Sequence, residues 1–347
     1  MKILYGVQGT GNGHIARARA MSQALRRYDV SVDFLFSGRN KHKYFSMEEF
    51  GDYQTRRGFT FLTHEGKVDY LKTGMNNSVP TFLSEINQLD LSDYEVVVND
   101  FEPISAWAAK KQNVPCVSIS HQNAFRFSVP QKNANWLDRQ LIKNFAPSDF
   151  QLGLHWYHFD QPILPPIVHI SSDLVDNLAY VIVYLPFENQ HAIVSLLTRF
   201  HNHQFVCYHP NNVEQVQIDN IIMKPLCHQT FQADLHRCDG VIANGGFELP
   251  SEALTLGKKL LVKPLEGQFE QQSNAATLES LGLAKSMDFL DASIVREWLD
   301  LKQAEKVTYP CVASGIAEWL VAGNWHCSEK LQQSLWERVD FPSYASV

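Results

Sequence analysis

Two residues far apart in the chain have side chains suited to acid–base chemistry. His14 follows the glycine-rich segment Gly9–Gly13, and Asp100 follows an apolar run rich in valine. A neutral imidazole can take a proton from a hydroxyl near neutral pH, and a carboxylate can orient it. Two plainer roles stay open. His14 could only hydrogen-bond to its own loop, and Asp100 or Glu102 could cap the helix expected to begin near Pro103.

The loop that precedes His14 favours a ligand site. Gly11, Asn12 and Gly13 stand between the first apolar run and the first helical stretch. Glycines there let the backbone approach a ligand, and free N–H groups at a helix start favour an acceptor phosphate or another polar group. His121 follows a later apolar run and falls on the same predicted sheet edge. It could contact an acceptor, although a polar loop explains it more simply.

Two common nucleotide-binding patterns fail in this loop. His14 occupies the third glycine position of the dinucleotide fingerprint, and no acidic residue ends the second apolar run. The P-loop pattern GxxxxGK[ST] is absent from the chain. These observations disfavour a nicotinamide enzyme and a P-loop nucleotide hydrolase.

A second glycine pair lies in the other half of the chain. Gly245 and Gly246 follow an apolar run and precede a helical stretch, so backbone N–H groups there could bind a diphosphate. Glu252, one turn into that helix, could accept hydrogen bonds from a ribose diol. The segment Glu266–Ala275, which includes Gln268, is dense in side chains able to bind sugar hydroxyls.

Strand and helix candidates alternate twice along the chain. The first series of strand candidates is Lys2–Val7, Ser31–Phe36, Glu95–Asn99 and Cys116–Ser120. The second is Tyr180–Leu185, His203–His209, Ile221–Lys224, Gly240–Asn244 and Lys259–Pro264. Continuous β-branched runs are typical of strands buried on both faces of a parallel sheet. We therefore predict an α/β fold with two Rossmann-like domains.

Prolines divide the two series. The segment Pro162–Pro166 resists both helix and central strand, so we place the joint there. We expect an N-terminal domain over residues 1–165 and a C-terminal domain over residues 166–312. Residues 313–347 form a helical tail that packs back on the N-terminal domain.

Composition narrows the function classes further. The chain has 347 residues, and 30 basic against 37 acidic side chains give a net charge of −7. A mildly acidic chain is a poor candidate for binding nucleic acid. No apolar run is long enough to span a bilayer or to form a signal peptide. The six cysteines include no CxxC, which predicts free thiols in a cytoplasmic protein. The grouping of Cys227, His228, His236 and Cys238 does not fit the usual spacing of zinc ligands, so we expect no zinc site.

The C-terminal motif resembles a known family. The segment GGFELPSEALTLGKKLLVKPLEGQFEQQSNAATLESLGL, residues 245–283, resembles the nucleotide-sugar signature of GT-B glycosyltransferases. It is most similar to the MurG-like and glycosyltransferase family 28 C-terminal group, related to UDP-glycosyltransferases. The loop GTGNGH is similar to their N-terminal domain, and the resemblance covers roughly residues 1–130 and 170–300. It implies two Rossmann-like domains that face each other across a cleft.

The resemblance also implies a reaction and residue roles. The reaction is the transfer of a sugar from a nucleoside diphosphate sugar to a hydroxyl acceptor, with inversion at the anomeric carbon. It needs no metal and no cofactor, and UDP is the expected nucleotide. His14 would be the base and Asp100 its partner. The implied donor-site residues are Gly245, Gly246 and Phe247 for the diphosphate, Glu252 for the ribose, Glu270 and Gln271 for the sugar, and Leu226 for the uracil.

Three features depart from the family pattern: Glu248, the pair Lys258-Lys259 where relatives often have Lys-Pro, and the absence of the full plant donor box rich in tryptophan and histidine. Glu248 puts a carboxylate beside the expected diphosphate, where relatives usually have a small polar residue. Two alternatives therefore stay open, a nucleotide-sugar 2-epimerase and a non-catalytic nucleotide-sugar-binding protein.

The acceptor is open as well. MurG-like relatives often use lipid-linked acceptors, so a cell-envelope glycan precursor at the inner face of a membrane is one option. Peripheral contact could then use the arginines of the first helix, which a solvated helix face explains more simply. They are Arg17, Arg19, Arg26 and Arg27.

Overall fold

The computed structural model describes residues 1–59, 63–64, 67–68, 78–168 and 178–347. Two seven-stranded sheets organise it. The strands up to residue 164 are β1 (Lys2–Gln8), β2 (Ser31–Ser37), β3 (Gln54–Arg56), β4 (Thr63–His64), β5 (Lys67–Val68), β6 (Val96–Asp100), β7 (Cys116–Ser120), β8 (Phe150–Leu154) and β9 (Ile163–Leu164). The first sheet is parallel, in the order β3-β2-β1-β6-β7-β8-β9, and β4 and β5 form a separate antiparallel pair.

The second sheet repeats this plan. Its strands are β10 (Tyr180–Tyr184), β11 (Gln204–Tyr208), β12 (Val216–Ile218), β13 (Ile221–Lys224), β14 (Gly240–Asn244), β15 (Lys259–Lys263) and β16 (Lys285–Ser286). The order is β12-β13-β11-β10-β14-β15-β16, parallel except where β12 meets β13. Every residue of β6, β7, β14 and β15 is buried, as continuous apolar runs predict. The predicted α/β fold with two parallel-sheet units is confirmed.

Helices connect the strands and cover the sheets. In chain order they are Asn12–Leu25, Val79–Gln88, Pro103–Gln112, Trp136–Asn144, Gln190–Leu197, His228–Arg237, Glu248–Thr255, Phe269–Ser280, Ala292–Leu299, Val312–Ala322 and Glu329–Trp336. Short 3-10 helices lie at Lys41–Lys43, Glu48–Phe50 and Gln122–Arg126.

The last two helices return to the first half of the chain. Ile316 is fully buried in the main core, which also holds residues of the first helix. Arg27 Nη1 donates to Ser314 Oγ at 3.2 Å, and Trp336 Nε1 donates to Ile163 O at 2.7 Å. The two carboxyl-terminal helices therefore pack against the first half of the chain.

The segment around the expected joint takes part in the first sheet. Ile163 and Leu164, between the prolines, form the edge strand β9. An edge is the place in a sheet that tolerates neighbouring prolines, because one side of the strand needs no ladder hydrogen bonds. The aromatic side chain of Trp156, just before this segment, is buried between the two halves and donates to Ser251 Oγ at 2.9 Å.

Candidate functional site

His14 and Asp100 lie side by side at the carboxyl edge of the first sheet. Because β1 and β6 are neighbours, Val7 pairs with Asp100, the last residue of β6. His14 lies in the first turn of the helix that follows β1, and its Nδ1 is 2.8 Å from Asp100 Oδ1. The Asp100 side chain is fully buried. We assign the Nδ1–H as the donor to this carboxylate, which leaves Nε2 as the basic nitrogen.

Glu102, rather than Asp100, caps the next helix. Its carboxylate accepts hydrogen bonds from the backbone N–H groups of Ile104 at 2.8 Å and Ser105 at 2.6 Å. The capping role that the sequence leaves open between the two acids therefore belongs to Glu102. Asp100 keeps its carboxylate for His14 and for one further partner.

That partner is Arg17, one helical turn after His14. Its Nε and Nη2 donate to the two oxygens of Asp100 at 2.7 and 2.8 Å, and its Nη1 donates to Glu248. Arg17 is only 2% exposed. The expectation that it lies on a solvated face or meets lipid headgroups is wrong. Its position three residues after His14, on the same helix face, is the sequence signal for its role.

The other arginines of this helix divide into two kinds. Arg19 is also buried, and its Nη2 donates to Ser46 O at 2.5 Å, so the same expectation is wrong for it. Arg26 and Arg27 are exposed, and donate to Glu49 O and to Ser314 Oγ. A membrane-facing patch of all four arginines does not exist.

One guanidinium serves two buried carboxylates in this cluster. Burial by itself would raise the pKa of Asp100, but Arg17 and His14 hold that pKa below its usual value. Burial raises the pKa of Glu248 to about 8, because loss of hydration and the nearby carboxylates of Asp100 and Glu252 outweigh the opposing charge of Arg17. At neutral pH we therefore expect an ionised Asp100 and a Glu248 that retains much of its proton.

The glycine pair of the second half borders the same space. A Cβ on Gly245 would lie 2.7 Å from Gln271 O, whereas a Cβ on Gly246 would meet nothing within 4 Å. Gly245 thus packs beneath the turn, and Gly246 and Phe247 line the cleft. The helix Glu248–Thr255 that follows has no side-chain cap, so its N-terminus is suited to an anion.

The two halves meet closely at these helix starts. A Cβ on Gly13 would lie 2.8 Å from Glu248 Cγ, so the missing side chain of Gly13 is what admits Glu248. The first helix also lacks a side-chain cap. Glu248 reaches across to Arg17 from this position. The structure thereby accounts for the carboxylate that departs from the family pattern.

Glu252 and Leu226 line a smaller pocket beside the cleft, about 110 Å³ in volume. Tyr184 and Phe231 contribute aromatic walls to it. Gln232 Nε2 donates to Glu252 Oε2 at 3.1 Å, and burial raises the pKa of Glu252 to about 7. The pocket therefore combines apolar walls with one hydrogen-bonding carboxyl group.

Gln268, Glu270 and Gln271 lie on the opposite rim of the glycine turn, at the start of the helix Phe269–Ser280. Gln122 Nε2 donates to both oxygens of Glu270, at 3.2 and 3.1 Å. Gln271 Oε1 accepts the N–H of Leu265 at 2.9 Å, which fixes its side chain against the loop.

His121 is buried beneath this rim. Its Nδ1 lies 2.8 Å from Leu154 O and its Nε2 lies 2.7 Å from Asn274 Oδ1. The ring stacks on Phe247 with 3.9 Å between centroids. Burial lowers the pKa of His121. Both ring nitrogens bond to protein atoms, one in each half of the chain, so this histidine connects the two halves.

The glycine loop of the first half is held by an arginine that sequence reasoning missed. Arg39 Nη2 donates to Thr10 O at 2.9 Å, and its Nη1 donates to Asn12 Oδ1 at 3.0 Å. Asn12 Nδ2 in turn donates to Tyr184 OH at 3.1 Å, across the cleft. Arg39 comes just after β2, so its position at the carboxyl edge of the sheet is the available signal. A Cβ on Gly11 would meet nothing within 4 Å.

These elements enclose one cleft of about 1210 Å³ between the two sheets. This volume exceeds the roughly 300–1,000 Å³ that is usual for a small-molecule site. Asp100 lies behind His14, and Gly245 lies under the turn. The expected residues that line the cleft are Gly11, Asn12, Gly13, His14, His121, Leu226, Gly246, Phe247, Gln268, Glu270 and Gln271.

In the part of the chain that the structure describes, no three His, Cys, Asp or Glu side chains come together to form a metal site. None of the helices in that part combines the length and the apolar character that crossing a membrane requires.

The sequence matches a known family over most of its length. The family described as "Glycosyl transferase family 1" matches residues 1–301. The resemblance to glycosyltransferases is therefore confirmed. No curated protein matches the chain.

Solved structures with the same fold are glycosyltransferases. The glycosyltransferase of kitacinnamycin is 15% identical with a TM-score of 0.57, over 96% of this chain and 99% of that one. SnogD from Streptomyces nogalater is 15% identical with a TM-score of 0.55, over 93% and 99%. MurG of Acinetobacter baumannii is 14% identical with a TM-score of 0.52, over 85% and 89%. The expected GT-B arrangement of two Rossmann-like units is thereby confirmed.

Proposed function

Because this chain belongs to glycosyl transferase family 1, we propose that it transfers a sugar from a nucleoside diphosphate sugar to a hydroxyl acceptor, with inversion and without a metal ion. One observation carries the proposal. The His14–Asp100 pair, joined at 2.8 Å, stands across one cleft from the uncapped helix start that follows Gly246. A base and an anion site on opposite walls are what a direct displacement needs.

In this reaction His14 Nε2 takes the proton of the acceptor hydroxyl. The hydroxyl oxygen attacks the anomeric carbon from the face opposite to the diphosphate, and the bond from that carbon to the leaving phosphate oxygen breaks. Asp100 accepts the hydrogen bond from Nδ1–H and stabilises the imidazolium that forms. A single displacement inverts the configuration at the anomeric carbon.

The leaving diphosphate gains negative charge as that bond breaks. The start of the helix Glu248–Thr255 supplies free N–H groups and the positive end of its dipole. Arg17, which contacts Glu248, balances the nearby carboxylate. These two features support leaving-group stabilisation by the protein alone, with no metal and no further cofactor.

The smaller pocket supports a nucleoside subsite. A uracil would pack between Leu226 and Phe231, and the ribose hydroxyls would meet Glu252. The rim residues Gln268, Glu270 and Gln271 would bind the sugar hydroxyls. We propose UDP as the nucleotide because the sequence resembles those of UDP-glycosyltransferases.

The acceptor belongs on the wall made by Gly11, Asn12 and Gly13, whereas His121 has both ring nitrogens bonded to protein atoms and offers the acceptor neither of them. We assign acceptor binding to residues 1–165, donor binding to residues 166–312 and support of the first unit to residues 313–347. The resemblance to MurG-like enzymes supports a lipid-linked acceptor or another cell-envelope glycan precursor, used at the cytoplasmic face of a membrane.

Calorimetry tests the donor site. UDP, TDP, GDP and their glucose and N-acetylglucosamine conjugates are titrated, with EDTA present, into wild type and Glu252→Ala. We expect micromolar binding of the uridine compounds to wild type, at least tenfold weaker in the variant. Glu297→Ala, an exposed acid that pairs with Lys285, is the matched control and keeps wild-type affinity. Wild type that binds none of these compounds would contradict the proposal.

A further inference from the structure

A chain of contacts links the expected base to the opposite wall of the cleft. His14, Asp100 and Arg17 belong to the first half, and Glu248 begins the helix after the glycine pair of the second half. His14, Arg17 and Glu248 all line the cleft, although Arg17 and Glu248 are buried. The acid–base pair is therefore connected to the donor wall through one guanidinium.

The geometry at Arg17 controls the orientation of Asp100. Two parallel hydrogen bonds, from Nε to Oδ2 and from Nη2 to Oδ1, fix the plane of the carboxylate. Oδ1 is the oxygen that faces His14 Nδ1, and Nη2 lies 3.0 Å from that nitrogen. Asp100 Oδ1 favours the tautomer that carries the proton on Nδ1, and Arg17 acts on this tautomer by holding that oxygen in place.

Glu248 holds Arg17 from the other side. Its Oε1 accepts the remaining Nη1 donor, at a place where Gly13 leaves room for it. A buried arginine between two acids contributes little net stability, because its charge and that of Asp100 must lose their hydration. Because Arg17 and Glu248 lie at the cleft, we look to function to explain their contact.

We propose that Arg17 and Glu248 are positioning residues, through which the glycine-turn helix of the second half orients the His14–Asp100 pair of the first. His14 then presents Nε2 to the acceptor only when the donor wall stands opposite it. This inference rests on the proposed function. It also explains why a carboxylate is tolerated next to a diphosphate site, since Arg17 engages that carboxylate.

The first test observes His14 directly and needs no ligand. Protein with ¹⁵N-labelled histidine rings is compared as wild type, Arg17→Ala and Glu248→Gln, with the His14 signals assigned by their loss in His14→Gln. We expect wild type to show the Nδ1–H tautomer and Arg17→Ala to show a mixture with Nε2–H. Adding guanidinium to Arg17→Ala restores the wild-type signals, because the ion fills the space of the lost side chain.

The second test measures turnover with the nucleotide sugar that binds best in the panel. We expect kcat for nucleoside diphosphate release to fall about 100-fold in Arg17→Ala, with KM for the donor within twofold and partial recovery by guanidinium. Glu248→Gln keeps the shape of the side chain and one acceptor oxygen, so it tests the same role should Arg17→Ala fail to fold, and we expect it to lose about tenfold in kcat. Arg126→Met, which removes a half-buried arginine bonded to Ile142 O, keeps wild-type kcat.

The outcomes separate the two proposals. Wild-type His14 signals and wild-type kcat in Arg17→Ala and Glu248→Gln would overturn the positioning role and leave sugar transfer intact. Wild type that releases nucleoside diphosphate from no nucleotide sugar would overturn the proposed function, and the positioning role with it.

Discussion

At the residue scale, the His14–Asp100 pair contacts Arg17, whose role could not be predicted from the sequence pattern. His14 and Asp100 could be predicted because each follows a strand, and the carboxyl ends of neighbouring parallel strands meet at one edge. Arg17 could not be predicted by the same reasoning. In the sequence it resembles the exposed arginines of its own helix, and its burial is tolerable only because Asp100 and Glu248, both far along the chain, accept its hydrogen bonds.

His14 gives the sharpest residue-scale prediction. Replacing it with alanine removes the base while the donor wall stays intact. We expect transfer to fall at least 100-fold and the dissociation constant of the nucleoside diphosphate to change less than twofold. Turnover and calorimetry on the same preparation check this. His42→Ala, an exposed histidine, is the control, and full transfer by His14→Ala would remove His14 as the base.

Glu248 gives a prediction for stability against pH. Its pKa is raised from 4.5 to about 8, so the folded protein holds a proton that the unfolded chain releases between these values. The free energy of unfolding therefore falls as pH rises through this window, by up to about 1.4 kcal/mol per pH unit from this group. Glu252, with its pKa raised to about 7, acts in the same direction.

Urea unfolding at pH 5, 6, 7 and 8 measures this dependence. Glu248→Gln cannot release a proton, so its stability should fall less steeply with pH than that of wild type. Parallel curves for the two proteins would show that Glu248 is ionised throughout the range.

At the element scale, the long central strands were predictable and the short edge strands were not. Val96–Asp100 and Gly240–Asn244 are fully buried runs whose composition decides their structure. Gln54–Arg56 and Ile163–Leu164 are strands only because a longer neighbour supplies hydrogen-bonding partners. Local sequence carries little information about such a partner.

The two glycines of the second turn make a matched pair at this scale. Gly245→Ala would put a Cβ 2.7 Å from Gln271 O, so we expect a loss of about 1–3 kcal/mol in the free energy of unfolding. Gly246→Ala meets open space, so its stability should change by less than about 0.5 kcal/mol. Its methyl group would enter the cleft and weaken nucleoside diphosphate binding about tenfold.

Denaturant titrations and calorimetry on both variants decide this point. Equal effects of the two substitutions on binding, or a stability loss in Gly246→Ala, would contradict the assignment of Gly246 to the diphosphate wall.

At the scale of the whole molecule, contacts between the halves complete the site. Asn12 bonds to Tyr184, Arg17 bonds to Glu248, and His121 bonds to Asn274. Each half could be predicted from its own strand and helix order. The pairing of residues across the cleft could not, because it depends on how two independent surfaces dock.

The carboxyl-terminal helices predict a second whole-molecule effect. Ile316 is fully buried against the first unit, far along the chain from the residues it covers. Ile316→Ala should lower the free energy of unfolding by about 2–5 kcal/mol through lost burial and a cavity. Glu318→Ala, an exposed neighbour on the same helix, should change it by less than about 0.5 kcal/mol. Equal midpoints of urea unfolding for the two variants would contradict this packing.

The most direct measurement is a proton NMR time course of the tightest-binding nucleotide sugar with wild type and His14→Ala, in the presence of EDTA and a mixture of hydroxyl acceptors. Wild type should release the nucleoside diphosphate and form a glycoside of inverted anomeric configuration, while His14→Ala forms neither product. Retained anomeric configuration in that product would contradict direct displacement. A sugar that changes configuration at C2 with its diphosphate intact would identify an epimerase. Tight binding with no reaction would identify a binding protein.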